Sequence, residues 1–283
     1  MTMCKTKFTG PLPFRMTNDF LFKYLLQEDI RILKGLICSF LNMDESEIKE
    51  LNVTNPISLS DDVNSKEMIL DIKAILNDSH ITNLEMQVIN NHDWPERSLT
   101  YLCRCFDNLQ KGAKYSHVKS AVHIGFLDYT LFPERPEFFS TYQLINPNNG
   151  QLYTGKFLLN VVDLTLTDKA TSDDIIYHRN LWASFFKAET WEELHMLSEK
   201  DEYIEKAVSK VAELSEDELF REKCFAREDK IRQQLDFQYY YETQISERDK
   251  EIEQKNAEIE QKDAEIEQKD AEIARLKILL SEK

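Results

Sequence analysis

The chain has 283 residues, 42% of them hydrophobic, with only 6 glycines and 7 prolines, a composition that excludes a disordered protein. Its 5 cysteines are scattered and odd in number, which excludes a disulfide framework and predicts reduced thiols. The start MTMCKTKFTGPLPF lacks the apolar core of a signal peptide, and no apolar run approaches the roughly 18 residues of a membrane span, so a cytoplasmic protein is expected.

The acidic residues are unevenly distributed along the chain. The formal net charge is -16, but residues 1–188 contribute only -4 of it. An acidic chain argues against a nucleic-acid partner when its charge is evenly spread. Because most of the excess acid lies in the C-terminal third, the N-terminal two-thirds can still present a local basic groove.

The first predicted elements are helical. Apolar residues recur at helical spacing through residues 17–42, with a break near Glu28 and Asp29, which predicts two helices. Thr17 or Asn18 is the expected N-cap of the first helix. A short strand is expected over residues 51–59.

Two strands are predicted next, over residues 68–76 and 82–89. Their apolar residues alternate with polar ones, and Asp71, Lys73, Glu85 and Gln87 fall at the alternate positions. An antiparallel pairing of Asp71 with either Glu85 or Gln87 places all four polar side chains on one face of the sheet.

The remaining globular region mixes helix and strand. Residues 95–114 are predicted as a helix with Pro95 in its first turn and Gly112 as its C-terminal stop. A strand is expected over residues 118–127, and a hairpin over residues 139–165 around the turn at 146–150. From Asp173 onward the pattern is helical.

The C-terminal tail repeats the heptads EIEQKNA and EIEQKDA. Isoleucine or leucine recurs every seven residues from Ile245 to Leu280, which is typical of a left-handed coiled coil. The other heptad position that a coiled coil buries is polar here, since Asn256, Asp263 and Asp270 occupy it. A coiled coil that pairs two chains and a single solvated helix stabilised by glutamate–lysine pairs both fit this pattern.

The polar face of the two strands has two interpretations. A polar strand face usually meets solvent. The same face carries several isoleucines, however, and two nearby acids repel each other unless a cation lies between them. Asp71 and Glu85, with the backbone carbonyl of Met86, form part of a shell suited to Mg²⁺. Gln87 could then orient an attacking water and Lys73 could supply positive charge.

Further candidates follow on the next helix. Arg97 and Tyr101 lie one helical turn apart and fit either phosphate contact or packing. Lys111 and Lys114 fit either contact with a DNA backbone or a solvated surface. The sequence has no glycine-rich phosphate loop and no zinc-ligand spacing, so neither a nucleotide cofactor nor a zinc site is expected.

The chain resembles the PD-(D/E)XK nuclease superfamily and, more closely, the Rpn family of recombination-promoting nucleases, often labelled transposases. The resemblance covers about residues 14–240. It rests on TNDFLFKYLL, ILDIKAIL, NLEMQV, ERSLTYLCRCFDNLQKGAKY, LLNVVDL and LWASFFKAETWEEL. A helical, often repetitive C-terminal tail is also typical of the family.

The resemblance implies roles for particular residues. The family's acidic pair falls on Asp71 and Glu85, and its third active-site position falls on Gln87, where the superfamily has lysine. Asp19 matches the acid of the family's first helix and is expected to assist the metal. The sequence departs from the pattern in having Leu70, and not proline, before Asp71.

These observations combine into one expectation. We expect an α/β PD-(D/E)XK-like core with a mixed central sheet flanked by helices over residues 14–172, a helical region over 173–244 and a heptad-repeat helix over 245–283. The expected activity is hydrolysis of DNA by a homodimer with Mg²⁺, or Mn²⁺ in its place, linked to recombination or mobile elements. The alternative is a catalytically inactive protein that keeps the fold and binds a partner through its tail.

Overall fold

The computed structural model describes residues 8–57 and 71–281. Residues 58–59 of the strand predicted over 51–59 lie outside the described residues, as do residues 68–70 of the strand predicted over 68–76. The described helices are α1 Asp19–Glu28, α2 Ile30–Leu41, α3 Trp94–Phe106, α4 Ser172–Ile176, α5 Arg179–Lys187, α6 Trp191–Ser198, α7 Glu202–Glu216 and α8 Glu218–Ser281. The described strands are β1 Leu51–Val53, β2 Ile72–Leu76, β3 His80–Gln87, β4 Ser120–Leu127, β5 Phe139–Gln143 and β6 Phe157–Asp163.

The strands form one mixed sheet, which confirms the predicted α/β class. Among the described residues its order is β1-β2-β3-β4-β6-β5. The central strands β3, β4 and β6 run parallel, while β2 pairs antiparallel with β3 and β5 pairs antiparallel with β6. The helix α3 makes the crossover between the parallel strands β3 and β4, as such a connection requires.

The two faces of the sheet bury different cores. Alternate residues such as Ile72, Leu84 and Met86 point into a large core that also contains the apolar residues of α1, α2, α5 and α7. The opposite face packs against α3 through a smaller cluster that includes Trp94 and Leu102. The polar residues predicted on the sheet therefore lie on the face that α3 covers.

Side-chain caps fix the ends of the first two helices. Asn18 accepts hydrogen bonds from the backbone amides of Phe20 and Leu21 and so begins α1, as predicted. Asp29 ends α1 and caps α2 by accepting from the amide of Arg31, which confirms the break near this position. The cap at Asn18 fixes where Asp19 and the first turn of α1 lie.

The predicted C-terminal end of α3 is wrong. The helix stops at Phe106, and Gly112, with φ +86, lies in a later turn. The side chain of Asn108 causes the early stop because it bridges two segments. Its amide nitrogen donates to the carbonyl of Cys105 at 2.9 Å, and its oxygen accepts from the amide of Lys119 at 3.0 Å, which directs the chain into β4.

The C-terminal part of the chain is helical from Ser172, as expected, with short connections between its helices. The chain divides into two compact units between Ile231 and Arg232. Within the first unit, Phe220 and Cys224 of α8 are fully buried. The region boundaries at 172 and 244 remain predictions.

The helices that the structure describes include none both long and apolar enough to cross a membrane.

Gly125 is the point of closest approach between the sheet and α3. A Cβ atom built at Gly125 would lie 2.0 Å from Cζ2 of Trp94, whose ring is 1% exposed. Only a glycine leaves room for this ring on β4. Trp94 in turn places the first turn of α3, from which Arg97 extends.

We predict that Gly125→Ala lowers the free energy of unfolding by about 1–3 kcal/mol, because the indole must move within a packed core. Urea denaturation measures the change. Gly155→Ala is the matched control, since a Cβ atom at Gly155 meets nothing within 4 Å. Equal stability of the two variants would contradict the packing described for Trp94.

Candidate active site

The two predicted metal-binding acids come together where β2 begins. Ile72 pairs with Leu84 in the antiparallel register of β2 and β3. Continuing this register by one residue places Asp71 opposite Glu85, so that their side chains share a face. Both residues are buried, with 7% of Asp71 and 4% of Glu85 exposed.

Each acid has one oxygen without a hydrogen-bond partner among the described residues. These atoms are Oδ1 of Asp71 and Oε2 of Glu85. A buried polar atom that lacks a partner costs free energy, commonly about 1–3 kcal/mol, and such atoms are rare in native structures. Two unpartnered carboxylate oxygens at neighbouring positions therefore make this place the candidate ligand site.

Glu85 is held by Arg97 of α3. The Nε and one terminal nitrogen of Arg97 both lie 2.7 Å from Oε1 of Glu85. Burial raises the pKa of Glu85 to about 7, although the charge and hydrogen bond of Arg97 lower it. The charges of Asp71 and Asp19 contribute to the rise. Glu85 thus exchanges its proton near neutral pH.

Burial also raises the pKa of Asp71. The charge of Lys23 and a hydrogen bond from the Asn83 side chain act in the opposite direction and lower this pKa. Arg97 lowers the pKa of Asp71 as well. The positive charges that lower the pKa of Asp71 therefore come from both α1 and α3.

Lys23 is a site residue that the sequence analysis missed. It lies on α1, one turn after Asp19, and is only 1% exposed, which is unusual for a lysine. The available signal was a single lysine within the apolar run DFLFKYLL, four residues after an acid. That signal does not say which side of the helix faces the site.

Asp19 is close enough for its charge to affect Glu85, but it has a partner of its own. Arg227 of α8 donates to both Asp19 oxygens, at 2.7 and 2.5 Å. The adjacent Asn18 donates from its side-chain nitrogen to the carbonyl of Cys224 at 3.0 Å. The start of α8 therefore holds the first turn of α1 in place.

The other two predicted catalytic residues lie beside the acids. Lys73 pairs with Asn83 across β2 and β3, one position further along the polar face from Asp71. Its charge lowers the pKa of Cys105, which burial raises. Gln87 is half-buried at the end of β3, and its amide nitrogen donates to the carbonyl of Ile89 at 3.0 Å.

Asn83 and His123 are further site residues that the sequence analysis did not identify. They lie opposite each other on the parallel strands β3 and β4, and both are fully buried. Nδ2 of Asn83 is 3.1 Å from Nδ1 of His123. Nε2 of His123 is 3.9 Å from Oε2 of Glu85 and has no hydrogen-bond partner among the described residues. Burial lowers the pKa of His123 to about 3, so the ring is neutral.

The predicted DNA-contact residues fall into two groups. Arg97 and Tyr101 belong to the site, since the guanidinium of Arg97 lies 5.3 Å from the Tyr101 ring centre. The guanidinium of Arg104 lies 5.6 Å from the centre of the same ring. Lys111 and Lys114 are exposed in the segment between α3 and β4 and lie outside the cluster around Glu85.

The donor set fits a hard cation better than zinc. The described residues contain no group of three or more His, Cys, Asp and Glu side chains that could hold a metal ion. Mg²⁺ commonly takes one or two protein carboxylates and completes its shell with water and phosphate oxygens. Asp71 and Glu85 supply two carboxylates with unpartnered oxygens. The side chain of Met86 points into the main core, so Met86 can contribute only its backbone carbonyl.

A mixed sheet with paired acids on adjacent strands is the arrangement expected of a nuclease-type protein. The chain belongs to the family described as PD-(D/E)XK nuclease family transposase, whose model matches residues 16–244. This match confirms the family resemblance noted in the sequence. Neither the curated proteins nor the solved structures include a significant match to the chain.

We predict that Glu85→Gln stabilises the metal-free protein at pH 8 but leaves its stability nearly unchanged at pH 4.5. Burial raises the pKa of Glu85 from an unfolded value of 4.5 to about 7, so wild-type stability falls as pH rises through this window. Glutamine mimics the protonated acid and removes this fall, a gain of up to about 3 kcal/mol at pH 8.

Urea denaturation in the presence of a chelator measures this effect. Glu96→Gln, at an exposed position of the same helix as Arg97, is the control and should give no comparable gain at pH 8. A Glu85→Gln effect that is the same at both pH values would contradict the raised pKa.

Proposed function

We propose that the protein is a metal-dependent DNA endonuclease that hydrolyses phosphodiester bonds. One observation carries this proposal: two neighbouring buried carboxylates each have an oxygen without a hydrogen-bond partner among the described residues, in a chain that belongs to a nuclease family. The proposed setting is recombination or mobile-element movement in the cytoplasm, following the family resemblance.

The proposed ion ligands are Asp71, Glu85 and the backbone carbonyl of Met86, with Asp19 in an assisting role. The ion would be Mg²⁺, with Mn²⁺ as a substitute. When bound, it neutralises negative charge on the scissile phosphate and lowers the pKa of a bound water. Gln87 orients the attacking water through its amide group.

Arg97 has two roles in this proposal. Its charge lowers the pKa of Glu85, which favours the anionic form that a metal needs. Its side chain is 36% exposed, and its guanidinium can also reach a phosphate. Tyr101 stacks beside it, and Lys111 and Lys114 contact the DNA backbone further along.

The proposed reaction is tested with supercoiled plasmid DNA and Mg²⁺ or Mn²⁺. We predict cleavage by the wild type and a loss of at least about 100-fold in Asp71→Asn and Glu85→Gln, since each removes the charge of a metal ligand without changing its shape. Gly155→Ala serves as the control. Equal cleavage by all four proteins would indicate a contaminant and contradict the assignment.

Two lysines are candidates for the positive charge that the superfamily places at the position of Gln87. Lys73 shares the face of the two acids. Lys23 is the more deeply buried of the two, and its charge acts directly on Asp71. We therefore assign the larger role to Lys23.

We predict that Lys23→Met slows cleavage at saturating metal and DNA more than Lys73→Met does. The two variants remove the same charge and keep similar length, so each is the control for the other. Because a positive charge beside the acids repels a dication, Lys23→Met should also tighten Mn²⁺ binding at pH 8. A larger kinetic defect in Lys73→Met would return the role to Lys73.

The tail supports a second candidate role, the binding of a partner chain. The stripe residues Ile245, Ile252, Ile259, Ile266 and Ile273 of α8 are 48–59% exposed. A regular apolar stripe on a solvated helix is the surface that a coiled coil buries. We propose that it joins two chains into a homodimer, which would place two active sites on one DNA. A non-cutting protein that uses the tail to bind a partner is the alternative function.

We predict that truncation after Gln244 lowers the mass seen by light scattering from twice the chain mass of 33.4 kDa to a monomer's. The double variant Ile252→Lys, Ile259→Lys should also be a monomer, because burying the lysine charges between the two helices is unfavourable. The control pair Glu253→Lys and Glu260→Lys lies off the stripe. A full-length monomer would contradict the pairing.

A further inference from the structure

A buried polar pair connects the two acids across the sheet. Asn83 and His123 lie on neighbouring strands beneath α3, with 1% and 0% of their surfaces exposed. The side-chain amide of Asn83 lowers the pKa of Asp71, and its nitrogen lies 3.1 Å from Nδ1 of His123. Nε2 of His123 faces Glu85. The pair thus lies beside both acids on the same face of the sheet.

The chemistry of these groups sets the direction of the hydrogen bonds. An ionised carboxylate only accepts, so Asn83 must use its Nδ2 group toward Asp71. The second hydrogen of the same nitrogen then points to Nδ1 of His123. Because Nδ1 is an acceptor in this contact, the hydrogen of the neutral ring is on Nε2, directed toward Glu85.

The contact between His123 and Glu85 is the incomplete one. Nε2 of His123 lies 3.9 Å from Oε2 of Glu85, which is longer than a hydrogen bond. Neither atom has another partner among the described residues. Arg97 holds the other Glu85 oxygen, at 2.7 Å. A small rotation of the Glu85 carboxylate would close the remaining gap.

We propose that Asn83 and His123 are positioning residues that fix Asp71 and Glu85 for the divalent ion. The proposal rests on the proposed function and adds two residues to it. Arg97 keeps Oε1 of Glu85, and Oε2 would accept the Nε2 hydrogen of His123 with one lone pair and bind the ion with the other. Asn83 holds Asp71 at the same time, so both ligands keep one orientation.

The packing around His123 suits this role. The ring of Tyr101 lies parallel to that of His123, with an interplanar angle of 9° and 6.1 Å between ring centres. The ring of Trp94 contacts it from another side, at 5.5 Å. These rings prevent His123 from rotating. A histidine that only filled space would leave Nε2 buried without a partner, at a cost that an apolar residue avoids.

The test uses Mn²⁺ binding followed by electron paramagnetic resonance, which does not depend on cleavage. Glutamine can place an amide nitrogen near the position of Nε2, whereas asparagine is too short. We expect His123→Asn to weaken Mn²⁺ binding by about 10–100-fold, the usual effect of losing a residue that supports a metal ligand. We expect His123→Gln to bind Mn²⁺ nearly as the wild type does.

A measurement on the wild type covers the case in which a variant does not fold. Nitrogen-15 NMR of the histidine rings reports which ring nitrogen of His123 carries the hydrogen. We expect the Nε2–H form, with a change in the Nε2 signal when Mg²⁺ is added. The Nδ1–H form would overturn the proposal.

The outcomes separate this proposal from the proposed function. If the wild type binds Mn²⁺ and His123→Asn binds it equally well, the positioning role is wrong and the metal site stands. If the wild type binds no Mn²⁺, the metal site itself fails and the positioning role fails with it. Weak binding in both His123→Asn and His123→Gln would overturn the hydrogen bond to Glu85.

Discussion

The burial of two carboxylates at the start of β2 is the constraint on which the site depends. Burial raises the pKa of both acids, and the negative charge of Asp71 adds to the rise at Glu85. A fold maintains such a pair only where neighbouring groups offset the free-energy cost of burying the two carboxylates. The compensation around Asp71 and Glu85 consists of positive charge and hydrogen-bond donors. Within the part of the chain that the structure describes, one oxygen of each acid still lacks a hydrogen-bond partner.

The surrounding elements supply that compensation from both faces of the sheet. From one face, α1 brings Lys23, and Arg227 of α8 holds Asp19 at the start of the same helix. From the other face, α3 brings Arg97 to Glu85. Trp94, seated over Gly125, positions α3 for this contact. The packing of Trp94 on Gly125 thus affects the protonation of Glu85, because it positions Arg97.

The sequence was sufficient for the class of fold and for the polar face of β2 and β3, because a period of two leaves no ambiguity about which residues share a face. It was insufficient wherever a contact depends on tertiary structure. The pairing of Asn83 with His123 requires the parallel register of β3 and β4, which no local pattern fixes. The early end of α3 depends on Asn108 reaching Lys119, and the burial of Lys23 depends on how α1 lies on the sheet.

The most direct test of a shared divalent ion is a crystal of the wild-type protein soaked with Mn²⁺ and measured at the manganese absorption edge. The account predicts one anomalous peak bound by oxygens of both Asp71 and Glu85, at distances of about 2.0–2.3 Å that are typical of small hard dications. A fully loaded crystal with no peak there, or with Mn²⁺ bound to only one of the two acids, would contradict it.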